Sequence, residues 1–179
     1  MFKGEHGPLI KFLVVGVVLY LSWYSLYELV LKPHTTIDEV VVENLVWFTE
    51  GSLHTMGFEL WTPQPNDAAN KVGIAGTPQP ITIGAPCDGI ILLVLFIIFI
   101  VSFPGPWKHK AWYLPLGILL IHCINVLRIT ALAIIMRYQP EKFQFNHDYT
   151  FTILVYAFVF LLWYIWVSRF SPLAKSRHA

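Results

Sequence analysis

Three residues of the kinds used in covalent catalysis stand near the ends of separate apolar segments. They are a thiol at Cys87, a guanidinium at Arg128 and an imidazole at His147. A thiolate attacks carbonyl carbon, an imidazole takes and returns a proton near neutral pH, and a guanidinium stabilises developing negative charge. The residue types therefore predict a nucleophile, a base and an anion stabiliser, provided that the fold brings the three together.

Three more polar residues flank this set. Asn125 precedes Arg128 by three positions, so both project from nearly the same helical face, and Asn125 either bonds across helices or holds the guanidinium. Asp148 is expected to orient His147. A cysteine at a helix start has a lowered pKa. Asp88 opposes that effect unless Arg128 or a protonated His147 offsets it, and we expect a low pKa for Cys87.

Each of these residues also has an ordinary structural interpretation. Cys87 could be a small residue at a helix end, and His147 an interfacial histidine flanking a helix. Arg128 lies at a shallow position in its segment and could extend to the lipid headgroups. Cys123 serves as an internal comparison, because it lies deep in an apolar segment and we expect an inert packing residue there.

The composition indicates a membrane protein. The chain has 179 residues, of which 56% are hydrophobic and 13% charged, whereas soluble domains carry about 25% charged residues. Four apolar runs approach the ~20 residues needed to cross ~30 Å of hydrocarbon. We predict a single all-α polytopic integral membrane domain over residues 1–179, with about four transmembrane helices at residues 10–31, 89–103, 112–136 and 149–167.

Residues 32–88 form the long segment between the first two predicted spans. Within it, Ile37–Trp61 mixes apolar residues with five carboxylates, which favours an amphipathic helix on the outer face over a further span. Sequence leaves open whether this stretch lies on the membrane or crosses it. Alternation at Val72 and Ile74, then at Ile81 and Ile83, predicts a short β-hairpin around residues 76–78.

The distribution of Lys and Arg predicts the orientation. Of 12 such residues, seven fall on one side of a four-span arrangement, namely Lys3, Lys11, Lys108, Lys110, Arg169, Lys175 and Arg177. Basic residues concentrate on the cytoplasmic side, so we predict a multi-pass protein of the cytoplasmic (inner) membrane with both termini cytoplasmic. Counting roughly 1.5 Å per helical residue then places Cys87, Arg128 and His147 in one shallow layer at the outer face.

No cofactor or metal is predicted, because no pair of His or Cys stands at metal-ligand spacing. A net charge of +1 without a basic cluster gives no indication of nucleic-acid binding. The two cysteines fall on different predicted spans, so a disulfide framework is not expected.

The order of these residues resembles the exosortase/archaeosortase family of polytopic membrane cysteine transpeptidases. The resemblance rests on Pro-Cys87-Asp-Gly-Ile opening an apolar helix, Asn125-x-x-Arg128 in the next long helix and His147 opening the last, over roughly residues 80–168. The chain departs from the family in having Asp88 where many members have Ser. It is also shorter than many members, so it looks like a compact version.

The resemblance implies a nucleophile at Cys87, a base at His147 and a charge-stabilising role at Arg128. It further implies that the substrates are exported proteins with a C-terminal motif, a transmembrane helix and a basic tail. The new C-terminus would pass to a membrane-associated acceptor such as a lipid or glycolipid, or to water. The alternative is a non-catalytic membrane interaction partner or small transporter subunit, in which Asn125 and Arg128 are polar residues of helix packing.

Overall fold

The computed structural model describes residues 7–64, 67–84 and 87–171, and they are mostly helical. The long helices are α1 (Gly7–Leu26), α2 (Ile37–Thr55), α3 (Ile90–Ser102), α4 (Trp107–Tyr138) and α5 (Phe151–Phe170). The charged residues Lys3, Lys175 and Arg177, used above to predict orientation, lie outside the described residues, as does Pro86 of the cysteine motif.

Among the described residues, three helical stretches are long and apolar enough to cross a membrane, namely Gly7–His34, Trp107–Tyr138 and Pro140–Phe170. The first extends α1 through a π-helical turn (Tyr27–Leu31) and a further helical turn (Lys32–His34). The second predicted span is the apolar helix α3, which has only 13 residues. The prediction of a mostly helical protein with several apolar spans is thus confirmed, with α3 shorter than a full crossing requires.

The last helical stretch begins well before the predicted span. A 3₁₀ turn (Pro140–Lys142), a helical turn (Phe143–Phe145) and a π-helical turn (Asn146–Thr150) lead directly into α5. Residues 137–148, which lie between the third and fourth predicted spans, are therefore mostly helical. His147 lies inside a continuous helical stretch instead of standing in front of it.

The predicted hairpin is confirmed. Strand β1 (Lys71–Val72) pairs antiparallel with β2 (Ile81–Thr82), with Val72 opposite Ile81. Gly76 has a φ of +75°, a left-handed conformation that glycine adopts without a Cβ clash, and this allows the chain to reverse between the strands. The strands are short because Pro78 and Pro80 flank the pairing region and donate no backbone hydrogen bond.

The chain divides into two compact units. Of the described residues, the first unit comprises 7–35, Ile91–Ile121 and 157–171, and the second comprises those within Thr36–Ile90 and His122–Tyr156. In the first unit, the Lys110 ammonium is buried and donates hydrogen bonds to the carbonyls of Val101 and Phe103, 2.7 and 2.9 Å away. It thereby satisfies carbonyls at the C-terminal end of α3 that have no partner within that helix.

The second unit has its own apolar core, formed by the buried face of α2, the hairpin and the later part of α4. Its members are Val42, Leu45, Leu53, Val72, Ile74, Ile81, Ile83, Val126, Ile129, Leu132, Ala133 and Met136. The opposite face of α2 exposes Trp47 and Phe48. The exposed residues of α2 also include the polar Glu43 and Asn44, so the helix is amphipathic, as predicted. It is not among the described helices apolar enough to cross a membrane. All six residues predicted to form the site belong to this unit.

Candidate active site

Cys87 lies in a tight turn immediately before α3. Its backbone N–H donates to the Gly84 carbonyl at 2.5 Å. Asp88 follows, and its Oδ1 accepts a hydrogen bond from the Ile90 N–H at 3.0 Å, so this carboxylate caps the first turn of α3. Because α3 begins at Ile90, Cys87 stands three residues before the first residue of the helix.

His147 is the nearest titratable side chain to the thiol. Its Nε2 lies 2.9 Å from Cys87 Sγ, and its Nδ1 lies 2.8 Å from Asp148 Oδ1. A proton on Nδ1 that is donated to Asp148 leaves Nε2 as the acceptor for the thiol proton. The π-helical turn Asn146–Thr150 carries both residues, and such turns are frequent where a helix presents functional side chains.

Two residues around His147 had not been singled out in the sequence. Gln144 Nε2 donates to Asp148 Oδ2 at 2.7 Å, and the Phe143 ring stacks on the imidazole at a centroid distance of 5.8 Å. Both stand four residues before the residue they contact, which is the helical spacing for side-chain neighbours. That spacing could have identified them if the segment had been recognised as helical.

Arg128 approaches the thiol from α4. Its Nη2 lies 3.6 Å from Cys87 Sγ, and the residue is only 6% exposed. The alternative in which Arg128 extends to the headgroups is therefore wrong, because the guanidinium is buried beside sulfur. Its Nε has no hydrogen-bond partner among the described protein groups, so this guanidinium retains a donor beyond the one directed at Cys87.

Asn125 is 2% exposed and contacts the same turn. Its Nδ2 donates to the carbonyls of Cys87 and Asp88, at 3.1 and 3.2 Å. Its Oδ1 accepts no hydrogen bond from the described residues. The interpretation in which this amide holds the Arg128 guanidinium is therefore wrong, and the other interpretation, a bond across to a neighbouring segment, describes the contact.

The expectation of a low pKa at Cys87 is also wrong. Burial raises the pKa of the thiol above its ordinary value, and Asp88 and Asp148 raise it further, while Arg128 lowers it without offsetting the burial. The helix-start effect expected from the sequence is weak because Cys87 stands three residues before the first residue of α3. At neutral pH the thiol is thus protonated, and a nearby base is needed to make it nucleophilic.

A cavity of about 470 Å³ opens on the other side of Asp88, and four of its lining residues are acidic: Asp38, Glu39, Glu43 and Asp88. Burial raises the pKa of Asp88, against the lowering effect of its backbone hydrogen bonds. Within the described ranges, no three His, Cys, Asp or Glu side chains come together as a metal site would require.

Cys123 was expected to pack inside the protein, but its side chain is exposed on α4. This expectation was wrong because the apolar exterior of a membrane helix and a protein interior have the same hydrophobic sequence signature. Thr130, by contrast, donates to the Val126 carbonyl of its own helix at 2.8 Å and is buried away from the thiol contacts.

The described geometry is that of a polytopic helical membrane protein with a half-buried thiol that lies within hydrogen-bonding reach of a half-buried imidazole and of a buried guanidinium. A family model described as transmembrane exosortase (Exosortase_EpsH) matches residues 44–165, more than half of the chain. The protein belongs to the transmembrane exosortase family, and its role is of the membrane transpeptidase type in general terms. No curated protein and no solved structure matches the chain.

The family match extends further toward the N-terminus than the motifs that carried the resemblance. It begins at residue 44, inside α2, and so includes the hairpin and the α2 segment that sequence comparison by motif had left outside. It also contains Cys87, Asn125, Arg128 and His147.

Proposed function

We propose that the protein is a membrane-embedded cysteine protease or transpeptidase that cleaves C-terminal sorting signals of exported proteins. The observation that carries this proposal is the 2.9 Å contact between Cys87 Sγ and His147 Nε2, with Arg128 Nη2 3.6 Å from the same sulfur. A nucleophile and a base within hydrogen-bonding distance, with a third group orienting the base, are the parts that thiol-based acyl transfer requires.

The first half-reaction forms a thioester. Cys87 transfers its Sγ proton to His147 Nε2 as sulfur attacks the scissile carbonyl carbon, and negative charge develops on the carbonyl oxygen. Arg128 stabilises the thiolate and this oxygen. When the tetrahedral intermediate collapses, the C–N bond breaks and His147 returns the proton to the departing amine, leaving an acyl group on Cys87.

The second half-reaction releases the product. An amine or hydroxyl of a membrane-associated acceptor, such as a lipid or glycolipid, attacks the thioester and gives its proton to His147. The C–S bond breaks, and the proton passes to the Cys87 sulfur, which restores the starting state. Water in place of the acceptor gives hydrolysis. Asp148 holds the imidazole orientation in both halves, and Gln144 holds Asp148.

The proposed location is the cytoplasmic membrane, with both termini in the cytoplasm and the thiol at the outer face. It is supported by the unequal distribution of Lys and Arg between the two sides. A recognition motif just outside a substrate's single transmembrane helix would lie at the depth of Cys87, and the basic tail of that substrate would remain on the cytoplasmic side.

Loss of the nucleophile tests the function. Cys87→Ala should reduce processing of a co-expressed tagged substrate to background, because no other described thiol contacts His147, and should leave membrane insertion intact. Cys123→Ala is the matched control and should retain processing within about two-fold, since an exposed side chain contributes little. Mass spectrometry of the mature substrate C-terminus reports the cut site and any attached group.

Full processing by Cys87→Ala would contradict an enzymatic role. It would favour the alternative class, a membrane interaction partner or small transporter subunit without catalysis. Undiminished processing by His147→Ala would contradict the assignment of the base, since loss of a general base lowers rates by roughly 10²–10⁴-fold.

A further inference from the structure

The buried Asn125 amide donates two hydrogen bonds that have no part in the reaction steps proposed above. Both hydrogen bonds from Nδ2 go to consecutive backbone carbonyls, those of Cys87 and Asp88. A single side chain on α4 therefore holds two consecutive peptide units, the one that joins Cys87 to Asp88 and the one that joins Asp88 to Gly89.

The same contact limits the residue at position 89. Gly89 has a φ of +80°, and a Cβ built there would lie 2.9 Å from Asn125 Nδ2. The left-handed backbone and the close approach of the amide both favour glycine. The conformation of the turn thus depends on the glycine at position 89 and on the two hydrogen bonds donated by Asn125.

Stability alone does not account for an asparagine at this position. Asn125 is 2% exposed, and its Oδ1 has no hydrogen-bond partner among the described residues. Burying a half-satisfied amide is unfavourable compared with an apolar residue of similar shape. What the amide provides is a fixed position for the backbone that carries the sulfur.

We propose that Asn125 is a positioning residue for the nucleophile. By holding the carbonyls of Cys87 and Asp88, it keeps Sγ between His147 Nε2, at 2.9 Å, and Arg128 Nη2, at 3.6 Å. The inference rests on the proposed function, because it assigns Asn125 a role in presenting the thiol to its base. Asn125 itself touches the backbone and does not contact the sulfur.

Replacing the amide by an isosteric carboxylate tests this role. Asn125→Asp keeps the shape but replaces two donors with acceptors that face two carbonyls, so the turn moves away and the thiol loses its base. We expect kcat for substrate processing to fall about 100-fold with KM little changed, which is the effect of displacing a reacting group by about 1 Å.

A second readout requires no substrate. In a Cys123→Ala background, the rate of Cys87 alkylation by iodoacetamide near neutral pH should fall about ten-fold on His147→Ala, since that change removes the base. In Asn125→Asp, the same His147→Ala change should have no further effect, because sulfur and imidazole are already apart. A merely structural defect would not remove the dependence on His147.

The matched control is Thr130→Val. Thr130 is buried on the same helix, but its hydroxyl bonds to the Val126 carbonyl of that helix. This variant should retain the parent's kcat within about two-fold and the full effect of His147→Ala. Asn125→Ala removes both hydrogen bonds without adding charge, and it gives the same alkylation readout if Asn125→Asp fails to fold.

The outcomes separate the two proposals. If Cys87→Ala abolishes processing but His147→Ala still slows alkylation in Asn125→Asp or Asn125→Ala, the positioning role of Asn125 is overturned and the proposed function stands. An alkylation rate that does not respond to His147→Ala in the parent also overturns the positioning role. If Cys87→Ala leaves processing intact, the proposed function fails whatever the alkylation rates show.

Discussion

The Cys87 thiol is subject to opposing effects. Burial and two nearby carboxylates raise its pKa, and the Arg128 guanidinium lowers it. Because the pKa is raised, the fraction of thiolate at neutral pH is smaller than for a free cysteine. In the proposed mechanism His147 therefore acts as a base during the attack, in contrast to thiols that are ionised before the substrate binds.

These charges predict a pH dependence that single substitutions should move. In a Cys123→Ala background, the alkylation rate of Cys87 should rise with pH and reach its midpoint above that of an ordinary cysteine. Asp88→Asn should shift the midpoint to lower pH, because it removes a negative charge and keeps the helix cap. Arg128→Gln should shift it to higher pH.

The rate of alkylation against pH measures these shifts directly. The identical midpoint in all three proteins would contradict the electrostatic account of the thiol.

The three predicted active-site residue types could be identified in the sequence because their chemistry is characteristic. The closeness of the three side chains to one another could not be predicted, because hydropathy gives the depth of a residue along a span but not the direction of its side chain.

The helices were predictable to different degrees. Apolar runs predicted α1, α3, α4 and α5, and alternation predicted the hairpin, because both patterns have a fixed period in the sequence. The helical turns at 140–150 were missed, since their polar residues resemble a loop. That error concealed Gln144 and Phe143, which contact the Asp148 and His147 side chains only because the segment is helical.

Helix packing in the first unit depends on a glycine of α4. A Cβ at Gly117 would lie 2.1 Å from Cζ of the fully buried Phe96 on α3. Gly117→Ala should therefore destabilise the protein by about 1–3 kcal/mol through overpacking, although alanine is the better helix former. The midpoint of thermal unfolding in detergent measures the change.

Gly51→Ala is the matched control for that substitution. Gly51 also lies inside a helix, α2, but a Cβ there meets no atom within 4 Å. The substitution should leave the unfolding midpoint unchanged or raise it, by up to about 1 kcal/mol of stability. Equal destabilisation by the two changes would contradict the packing argument.

The proposed orientation of the chain in the membrane rests on the distribution of its basic residues. The proposed orientation predicts that a membrane-impermeant maleimide labels Cys87 in right-side-out vesicles and leaves it unlabelled in sealed inside-out vesicles. The measurement is made in a Cys123→Ala background, so that the exposed second thiol does not contribute.

A cysteine introduced at the exposed Lys108 provides the comparison. In a chain lacking both native thiols, Lys108→Cys should show the opposite labelling pattern, because Lys108 belongs to the predicted cytoplasmic side. Labelling of Cys87 only in inside-out vesicles would reverse the orientation, although it would leave the contacts around the thiol unaffected.

The 13 residues of α3 have a consequence for the surrounding lipid. At 1.5 Å per residue the helix is about 20 Å long, some 10 Å less than the hydrocarbon core of an ordinary bilayer. Such hydrophobic mismatch is relieved by local compression of the acyl chains. In the proposed four-span arrangement, headgroups and water are then drawn toward the N-terminal end of α3. We expect the thiol to meet its substrates where the bilayer is locally thin.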